Sequence, residues 1–304
     1  MQPLVSIITV NYNGAKLTEA LLLSLQKISY SNVEVIVVDN NSSEGIDNLK
    51  AAFKEVIFID APENLGFAGG NNLGFNNAKG KYFLMLNNDT EVEPDFLEPL
   101  VEVMESDERI GCTSSKLIYF EDKKTIQFAG HSGINLYSGR GFTRGYHEMN
   151  TGQYEDVIDI QIAHGAAMMV SRKMVEEVGL MADLYFLYYE EVDYCHRIID
   201  AGYTMKYVGP STVYHKESQT VGRESTLKVY YMSRNRWIYM RRNAKGIQAL
   251  IGWLYFLLVA FPKNLLKYVL KRKPELLKAY WTGSLWNLTH NNIYENPTLE
   301  RSNV

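Results

Sequence analysis

An α/β fold with a mostly parallel central sheet, followed by a helical C-terminal extension, is what three observations in the sequence predict. The strand-like runs, such as 33–38 and 82–86, are apolar without alternation, the mark of strands buried on both faces. These runs alternate with segments of helical period through about the first 95 residues, which calls for right-handed crossovers between parallel strands. After Leu227 the pattern is helical throughout. The chain therefore divides into a body, residues 1–224, and a basic, amphipathic helical region, residues 225–304.

Residues 4–10 form the first strand and stop in the turn cluster Asn11-Tyr12-Asn13-Gly14. Leucines at 21, 22 and 25 place an amphipathic helix over 16–27. A second strand, 33–38, ends in Asp39-Asn40-Asn41-Ser42, and a third covers 56–59. A Gly/Asn-rich loop, residues 63–72, leads into a helix that closes at Gly80. The strand at 82–86 ends in Asn87-Asn88-Asp89. Polar groups at the carboxyl ends of neighbouring strands converge where open α/β sheets bind ligands. Each cluster alone also reads as turn formers, and Asp89 alone as a helix cap.

A helix follows at 96–106, then strands at 110–120 and 125–134. Residues 135–156, rich in Gly and Tyr without a period, read as a mobile loop over the site. The segment 160–170 carries His164-Gly165-Ala166-Ala167 and precedes a short helix, 172–178. In 186–202, FLYYEEVDYCHRIIDAG, the acids Glu190, Glu191 and Asp193 open a helix that ends at Gly202. Acids in a first turn complement the helix dipole, but three within four residues exceed that need and also suit acid–base or metal chemistry. A strand at 204–208 leads toward His215, which reads as a solvated imidazole or as a metal ligand.

At 304 residues and 46% hydrophobic, the chain can bury a large core. Its two cysteines, Cys112 and Cys195, form neither a disulfide framework nor a zinc pattern, which points to a reducing compartment. The N-terminus lacks a basic leader and runs directly into a strand, so no signal peptide is expected. Residues 225–274 hold eleven Lys/Arg and no Asp or Glu, so the rest carries 20 basic against 35 acidic side chains. Such a basic arm suits an anionic surface. Its apolar run, 247–261, is about 22 Å long as a helix, short of the roughly 30 Å hydrocarbon core. A full span is therefore not expected, and a helix in the interface of an anionic membrane is. Nucleic acid is the other anion a basic arm fits, and the apolar run argues against it.

Together these stretches resemble the family 2 glycosyltransferases of the GT-A fold, in the rhamnosyltransferase-like branch. The resemblance runs over about residues 3–221 and rests on an ordered set: VSIITVNYNG, VIVVDNNS, NLGFAGGNNLGFNNAKGKYFLMLNNDTEV, HGAAMMVSR, YYEEVDYCHRIIDAGY and VYHKES. The pair Arg234-Asn235 in the helical tail is a further likeness. The resemblance implies a nucleotide-sugar donor, a divalent cation (Mg2+ or Mn2+) and inversion at the anomeric carbon. Rhamnose from dTDP-rhamnose is the first donor to consider, with a UDP-hexose as the alternative. By position, Asn11, Asn13 and Asp39 match residues that hold base and ribose, and Gly66 and Asn72 match the loop near the nucleotide. Asn87-Asn88-Asp89 stands where the family has Asp-x-Asp, so Asn87 replaces the first acid. Asn88 and Asp89 are then the donor residues there, and Asp89 with His215 the metal ligands. Glu191 matches the catalytic base, with Asp193 orienting the acceptor or Arg197. His164, Glu190 and Arg197 fall to the acceptor or sugar pocket. The implied acceptor is a lipid-linked glycan, met by an enzyme peripheral on the inner, cytoplasmic face of the cell membrane. A dinucleotide-dependent oxidoreductase is disfavoured because no G-x-G-x-x-G follows the first strand. A non-catalytic, membrane-bound sugar-binding relative is the rival that Asn87 leaves open.

Overall fold

The computed structural model describes residues 2–138, 140–216 and 225–299. Glu217-Ser218 of the VYHKES motif lie outside the described residues, as does residue 224 at the boundary between body and arm. The body opens with β1 (Val5–Asn11), α1 (Ala15–Leu25), β2 (Val33–Asp39), α2 (Asp47–Ala52), β3 (Ile57–Asp60), α3 (Gly66–Asn77) and β4 (Tyr82–Leu86). It continues with β5 (Thr90–Val92), α4 (Leu97–Ser106), β6 (Ile110–Tyr119), β7 (Ile126–Phe128), β8 (His131–Asn135), β9 (Arg140–Thr143) and β10 (Val157–Asp159). Then come β11 (Ala167–Ser171), α5 (Arg172–Val178), α6 (Glu190–Asp200) and β12 (Thr204–His215). The arm contains α7 (Thr226–Asn243), α8 (Gly246–Tyr255), α9 (Phe261–Leu270) and α10 (Pro274–Thr289).

The main sheet has the order β10-β12-β6-β11-β4-β1-β2-β3. Strands β3, β2, β1 and β4 are parallel neighbours. β11 runs antiparallel to both β4 and β6, and β6 pairs parallel with β12. Apart from β11 and the short peripheral strands, the sheet runs one way, so the carboxyl ends of β1, β2, β4, β6 and β12 share an edge with the amino end of β11. β4 is buried along its whole length, as its unbroken apolar character requires, and β6 is buried as well although it carries Thr113-Ser114-Ser115-Lys116 at its centre. Each fully buried aliphatic or aromatic side chain there contributes roughly 1.5–3 kcal/mol.

Several elements differ from the sequence reading, each for a physical reason. The Gly/Asn-rich segment is not a loop before a helix; from Gly66 it is the helix α3 itself. Its glycines are spent on closeness: a Cβ on Gly74 would stand 2.3 Å from Ile8 Cγ2, so only a bare helix face fits on β1. The expected strand at 125–134 breaks at Gly130, which has φ +111°. Residues 135–156 are not without regular structure: residues 135–143 complete the β8–β9 hairpin, and its turn reaches the arm, where Arg236 donates to the Ser138 carbonyl. Residues 290–299 are not helical, and the tail returns to the body, where Leu180 N–H donates to the Pro297 carbonyl at 2.8 Å.

The arm is also less purely cationic toward solvent than its composition implies. Arg234 donates to the Leu184 carbonyl, Arg236 to Ser138, Arg241 to the Asn287 and His290 carbonyls, and Arg242 to Asp193. These four guanidiniums hold the arm to itself and to the body. Residues Gly246–Leu270 form one helix of 25 residues, about 37 Å, with one π-type turn inside it. Length therefore does not exclude a membrane span, contrary to the reading from the 15-residue apolar run. Only 11% of its most apolar window is buried in the protein.

Candidate active site

The nucleotide side of the crevice is built at the ends of β1 and β2, where Asn11 stands in register with Asp39. Asn11 Nδ2 donates to Asp39 Oδ1 at 2.8 Å and to Ser42 Oγ at 3.1 Å, and its oxygen accepts from Thr18 Oγ1 at 2.8 Å. Thr18 in turn accepts from Asn88 Nδ2 at 3.1 Å. Asn11 has no exposed surface, and its hydrogen bonds tie it to Asp39 and, through Thr18, to Asn88. Asn13 lies on the exposed rim, where its side-chain oxygen accepts from Ser43 N and Oγ at 2.8 and 3.0 Å. Gly66 and Asn72 are reassigned. A Cβ on Gly66 would meet the Phe186 carbonyl oxygen at 2.2 Å, and its φ is +71°, so it lets the 183–189 loop close onto α3. The Asn72 amide donates to Met181 O and Asp183 Oδ1 at 2.8 and 2.6 Å and accepts from Met181 N at 3.1 Å, which pins the same loop.

At the end of β4, Asp89 is 8% exposed, and β12 delivers His215 beside it. His215 Nε2 lies 3.2 Å from Asp89 Oδ1. On the other side of the ring, Gln127 Oε1 lies 2.7 Å from Nδ1. An oxygen only accepts, so Nδ1 carries a proton; in the neutral ring Nε2 then turns a lone pair toward the carboxylate, and in the charged ring it carries a proton toward it. Asp89 Oδ1 is buried and has no well-aligned hydrogen-bond partner among the described residues. In the neutral form two acceptors face one another, and a cation between them would satisfy both; in the charged form the imidazolium itself is the counterion. Burial pushes the Asp89 carboxyl up, but His215 and Lys216 outweigh it and hold the group below its ordinary range. No group of three or more His, Cys, Asp or Glu suited to a metal occurs among the described residues. A two-ligand site still fits a hard cation that completes its shell with diphosphate oxygens and water. His164 stacks edge-on to His215, with ring centroids 5.9 Å apart. Its Nδ1 accepts from Ala166 N–H at 3.1 Å, so Nε2 carries the proton, and burial pushes the imidazole down to about 3. It is a neutral donor.

Next to His164, a Cβ on Gly165 would stand 3.4 Å from the Phe67 ring and 3.7 Å from Glu191 Cβ. The first turn of α6 thus lies in van der Waals reach of the segment that carries His164. Burial raises the Glu191 pKa, partly offset by the backbone N–H groups of Glu191 and Val192 at the helix start. Glu190 is 3% exposed, and its Oε2 has no partner among the described residues. Burial first and the Glu191 charge second push it well above the carboxylate range. Its carboxyl therefore lies in the interior, beside the charge of Glu191.

A sequence profile described as Glycosyl transferase family 2 matches residues 6–179. The chain belongs to that family. The low-salt glycan biosynthesis hexosyltransferase Agl10 of Haloferax volcanii is 25% identical over 238 residues, covering 77% of this chain and 74% of that one. Among solved structures, the mannosyltransferase PcManGT from Pyrobaculum calidifontis, in complex with GDP-Man and Mn2+, superposes with a TM-score of 0.60 at 16% identity. That match covers 94% of this chain and 88% of that one. GalNAc-T7 with UDP, GalNAc and Mn2+ also gives 0.60 at 15% identity, over 86% of this chain and 57% of that one. The GT-A fold expected from the sequence is thereby established, as is the glycosyltransferase class.

Within this family member, Asp193 is 1% exposed and accepts from Tyr185 Oη, Arg242 Nε and Asn243 Nδ2 at 3.0, 2.9 and 3.0 Å. Arg197 Nε adds a contact at 3.3 Å, and the rest of that guanidinium donates to the Val178 and Leu180 carbonyls. Asp193 orients Arg197, and with Arg242 and Asn243 it fastens α6 to α7. The residues that sequence reasoning missed, Thr18, Ser42, Gln127 and Arg242, act through other side chains. No local pattern marks such residues, because their partners lie between 3 and 88 positions away.

Proposed function

We propose that this protein is an inverting hexosyltransferase that moves a sugar from a nucleoside diphosphate to a hydroxyl of a lipid-linked glycan. The observation that carries the reading is the meeting of the Asp89–His215 acceptor pair and the desolvated Glu191 at the two ends of the His164-Gly165 segment. Asp39, fixed by Asn11 and Ser42, faces the nucleoside, and Asn88 and Asp89 face the diphosphate. A divalent cation, Mg2+ or Mn2+, held by Asp89 and His215 would act as a Lewis acid on the departing diphosphate. Glu191 takes the acceptor proton as the hydroxyl attacks, and its raised pKa brings its basicity closer to working pH. Attack from the face opposite the leaving group inverts the anomeric carbon. The His164 Nε2–H donates to a sugar hydroxyl.

The Haloferax relative, named for glycan biosynthesis, supports a glycan acceptor. The exposed leucines of the long arm helix (Leu250, Leu254, Leu257, Leu258, Leu266, Leu270) support a lipid-bound one. Lys263, Lys267, Lys271, Arg272 and Lys273 cluster at its C-terminal end and suit anionic headgroups. The helix packs on the rest of the arm, at Trp253 against Trp237 of α7 and at Phe261 against Tyr280 of α10, with centroids 4.5 and 5.7 Å apart. A span across the bilayer would drag those contacts into hydrocarbon, which favours peripheral attachment at the inner face of the membrane.

The test is turnover on a donor panel containing dTDP-rhamnose, UDP-hexoses and GDP-mannose, with Mn2+ and a lipid-linked glycan acceptor. One donor should be consumed, and Glu191→Gln should lower kcat by about 10²–10⁴ with the donor KM little changed. Turnover by Glu191→Gln at the wild-type rate would overturn the assignment of the base. Binding of donors without transfer would favour a sugar-binding relative instead.

A further inference from the structure

The loop that leads into Glu190 and Glu191 has a backbone that side chains ordinarily avoid. Phe186, Tyr188 and Tyr189 have φ of 63°, 70° and 74°. Phe186 is the centre of a γ-turn, with ψ −56° and Leu187 N–H donating to the Tyr185 carbonyl at 2.7 Å. The positive-φ form of this turn is rare and strained. Three such non-glycine residues in four positions persist only where surrounding contacts over-determine them.

Those contacts come from the arm. Asn235, on α7, has no exposed surface, and its Nδ2 lies 2.8 Å from the carbonyl oxygens of Tyr185, Leu187 and Tyr188 alike. Three carbonyls around one amide nitrogen fix which way the amide points. The preceding residue, Arg234, donates to the Leu184 carbonyl at 2.7 Å. The remaining carbonyl of the turn, that of Phe186, accepts from Phe67 N–H at 2.6 Å, at the start of α3. The loop is therefore gripped from α7 on one side and touches the nucleotide-side helix on the other. Tyr189, the last strained residue, caps α6, and Glu191 follows two positions later.

We propose that Asn235, supported by Arg234, is a positioning residue for the catalytic base: it holds 185–188 in the strained form that aims Glu191 at the acceptor. The proposal rests on Glu191 being the base. It makes α7 part of the catalytic apparatus, although no side chain of α7 needs to touch substrate. It also gives the Arg234-Asn235 pair a reason to be adjacent, since consecutive residues on α7 serve consecutive carbonyls of the loop.

Two measurements on the full chain test it. The first is hydrogen exchange of peptides covering 184–195, compared with those covering β4 and β6, in wild type and Asn235→Ala. Exchange in 184–191 should quicken at least about tenfold while the central strands stay unchanged. The second is a double-mutant cycle of Asn235→Ala with Glu191→Gln, on the donor that the panel identifies. Asn235→Ala alone should lower kcat at least about tenfold with donor KM little changed. In the Glu191→Gln background it should cost almost nothing more, because both changes disable one function. Unchanged exchange in 184–191, or losses that multiply in full, would overturn the proposal. If Asn235→Ala does not fold, Asn235→Ser keeps one donor and is read by the same two measurements. If wild type turns over no donor, the reading of the enzyme fails while the exchange result still decides the clamp.

Discussion

Replacing Asp193 by Asn should unfold the protein far more readily than it slows the chemistry. The substitution keeps the shape and removes one negative charge. In the folded state that charge is the counterion of two guanidiniums, Arg242 with Nε at 2.9 Å and Arg197 with Nε at 3.3 Å. The three side chains are 1%, 5% and 14% exposed for Asp193, Arg242 and Arg197, so water does not replace the lost partner. Breaking a buried pair from one side costs about 3–5 kcal/mol, because the partner charge stays buried and unpaired. The new amide also places an N–H where Arg242, Arg197 and Asn243 Nδ2 now donate. For a chain of this size the loss corresponds to a fall in Tm on the order of 10 °C. Thermal and urea unfolding of Asp193→Asn beside wild type measure it, and a shifted midpoint at unchanged slope marks a change in stability alone. The rate per folded molecule should stay within about threefold of wild type, far from the 10²–10⁴ loss expected of a missing acid–base group. A Tm within about 2 °C of wild type together with lost turnover would refute the reasoning and return Asp193 to the chemistry.

Glu190 gives a pH-dependent prediction. Its folded-state pKa is raised, so its contribution to stability is full below the ordinary carboxylate value, about 4.3, and is lost as pH rises through the folded value. Glu190→Gln should therefore gain Tm over wild type at pH 8 and not at pH 4; equal gains at both would show that charge burial is not the cause. Asp89→Ala should abolish most activity and weaken Mn2+ binding measured by isothermal titration, and EDTA should mimic it; full turnover in EDTA refutes the cation assignment. Flotation with vesicles should require anionic lipid and weaken as salt rises, since each headgroup contact contributes at most about 1 kcal/mol and is screened. Equal binding to neutral vesicles, or to neither kind, removes the peripheral-membrane reading.

The strand and helix order of the body was legible because unbroken apolar runs such as 82–86 have few other meanings. The glycine-rich α3 was misread because composition reports glycine as a turn former, whereas Gly74 serves a helix that must lie against Ile8. The long arm helix came out short in the reading because its length was taken from the apolar run 247–261 alone, while the helix continues through the basic residues to Leu270. In the structure Pro262 sits in the first turn of α9, directly after the π-type turn 256–260, where a missing N–H is tolerated. Glu191, Asp89 and His215 were singled out by the family resemblance, and each stands at the end of an element, where Asp89 and His215 come within 3.2 Å of one another. Asp193 and Arg197 could not be told from their neighbours, since a first-turn acid and a helical arginine look alike whether they face substrate or interior. Their partners, Arg242 and the Val178 and Leu180 carbonyls, are set by tertiary packing alone.

One reversed strand explains why so few residues converge. Periodicity reports that β11 is a buried strand and carries no information on its direction. Had it run parallel to β4 and β6, its amino end would lie at the opposite edge of the sheet, about 17 Å away for five residues. His164-Gly165 would then be remote from Asp89, at the end of β4, and from His215, at the end of β12. Because β11 is antiparallel, Ala167 pairs with Leu86, and the three residues before the one reach the same edge as the three after the other. Asn87 N–H donating to the Ala166 carbonyl at 3.0 Å fixes that junction. The chain direction of a single strand thus brings Asp89 and His215 to one side of Gly165 and Glu191, whose Cβ would lie 3.7 Å from a Cβ at that position, to the other.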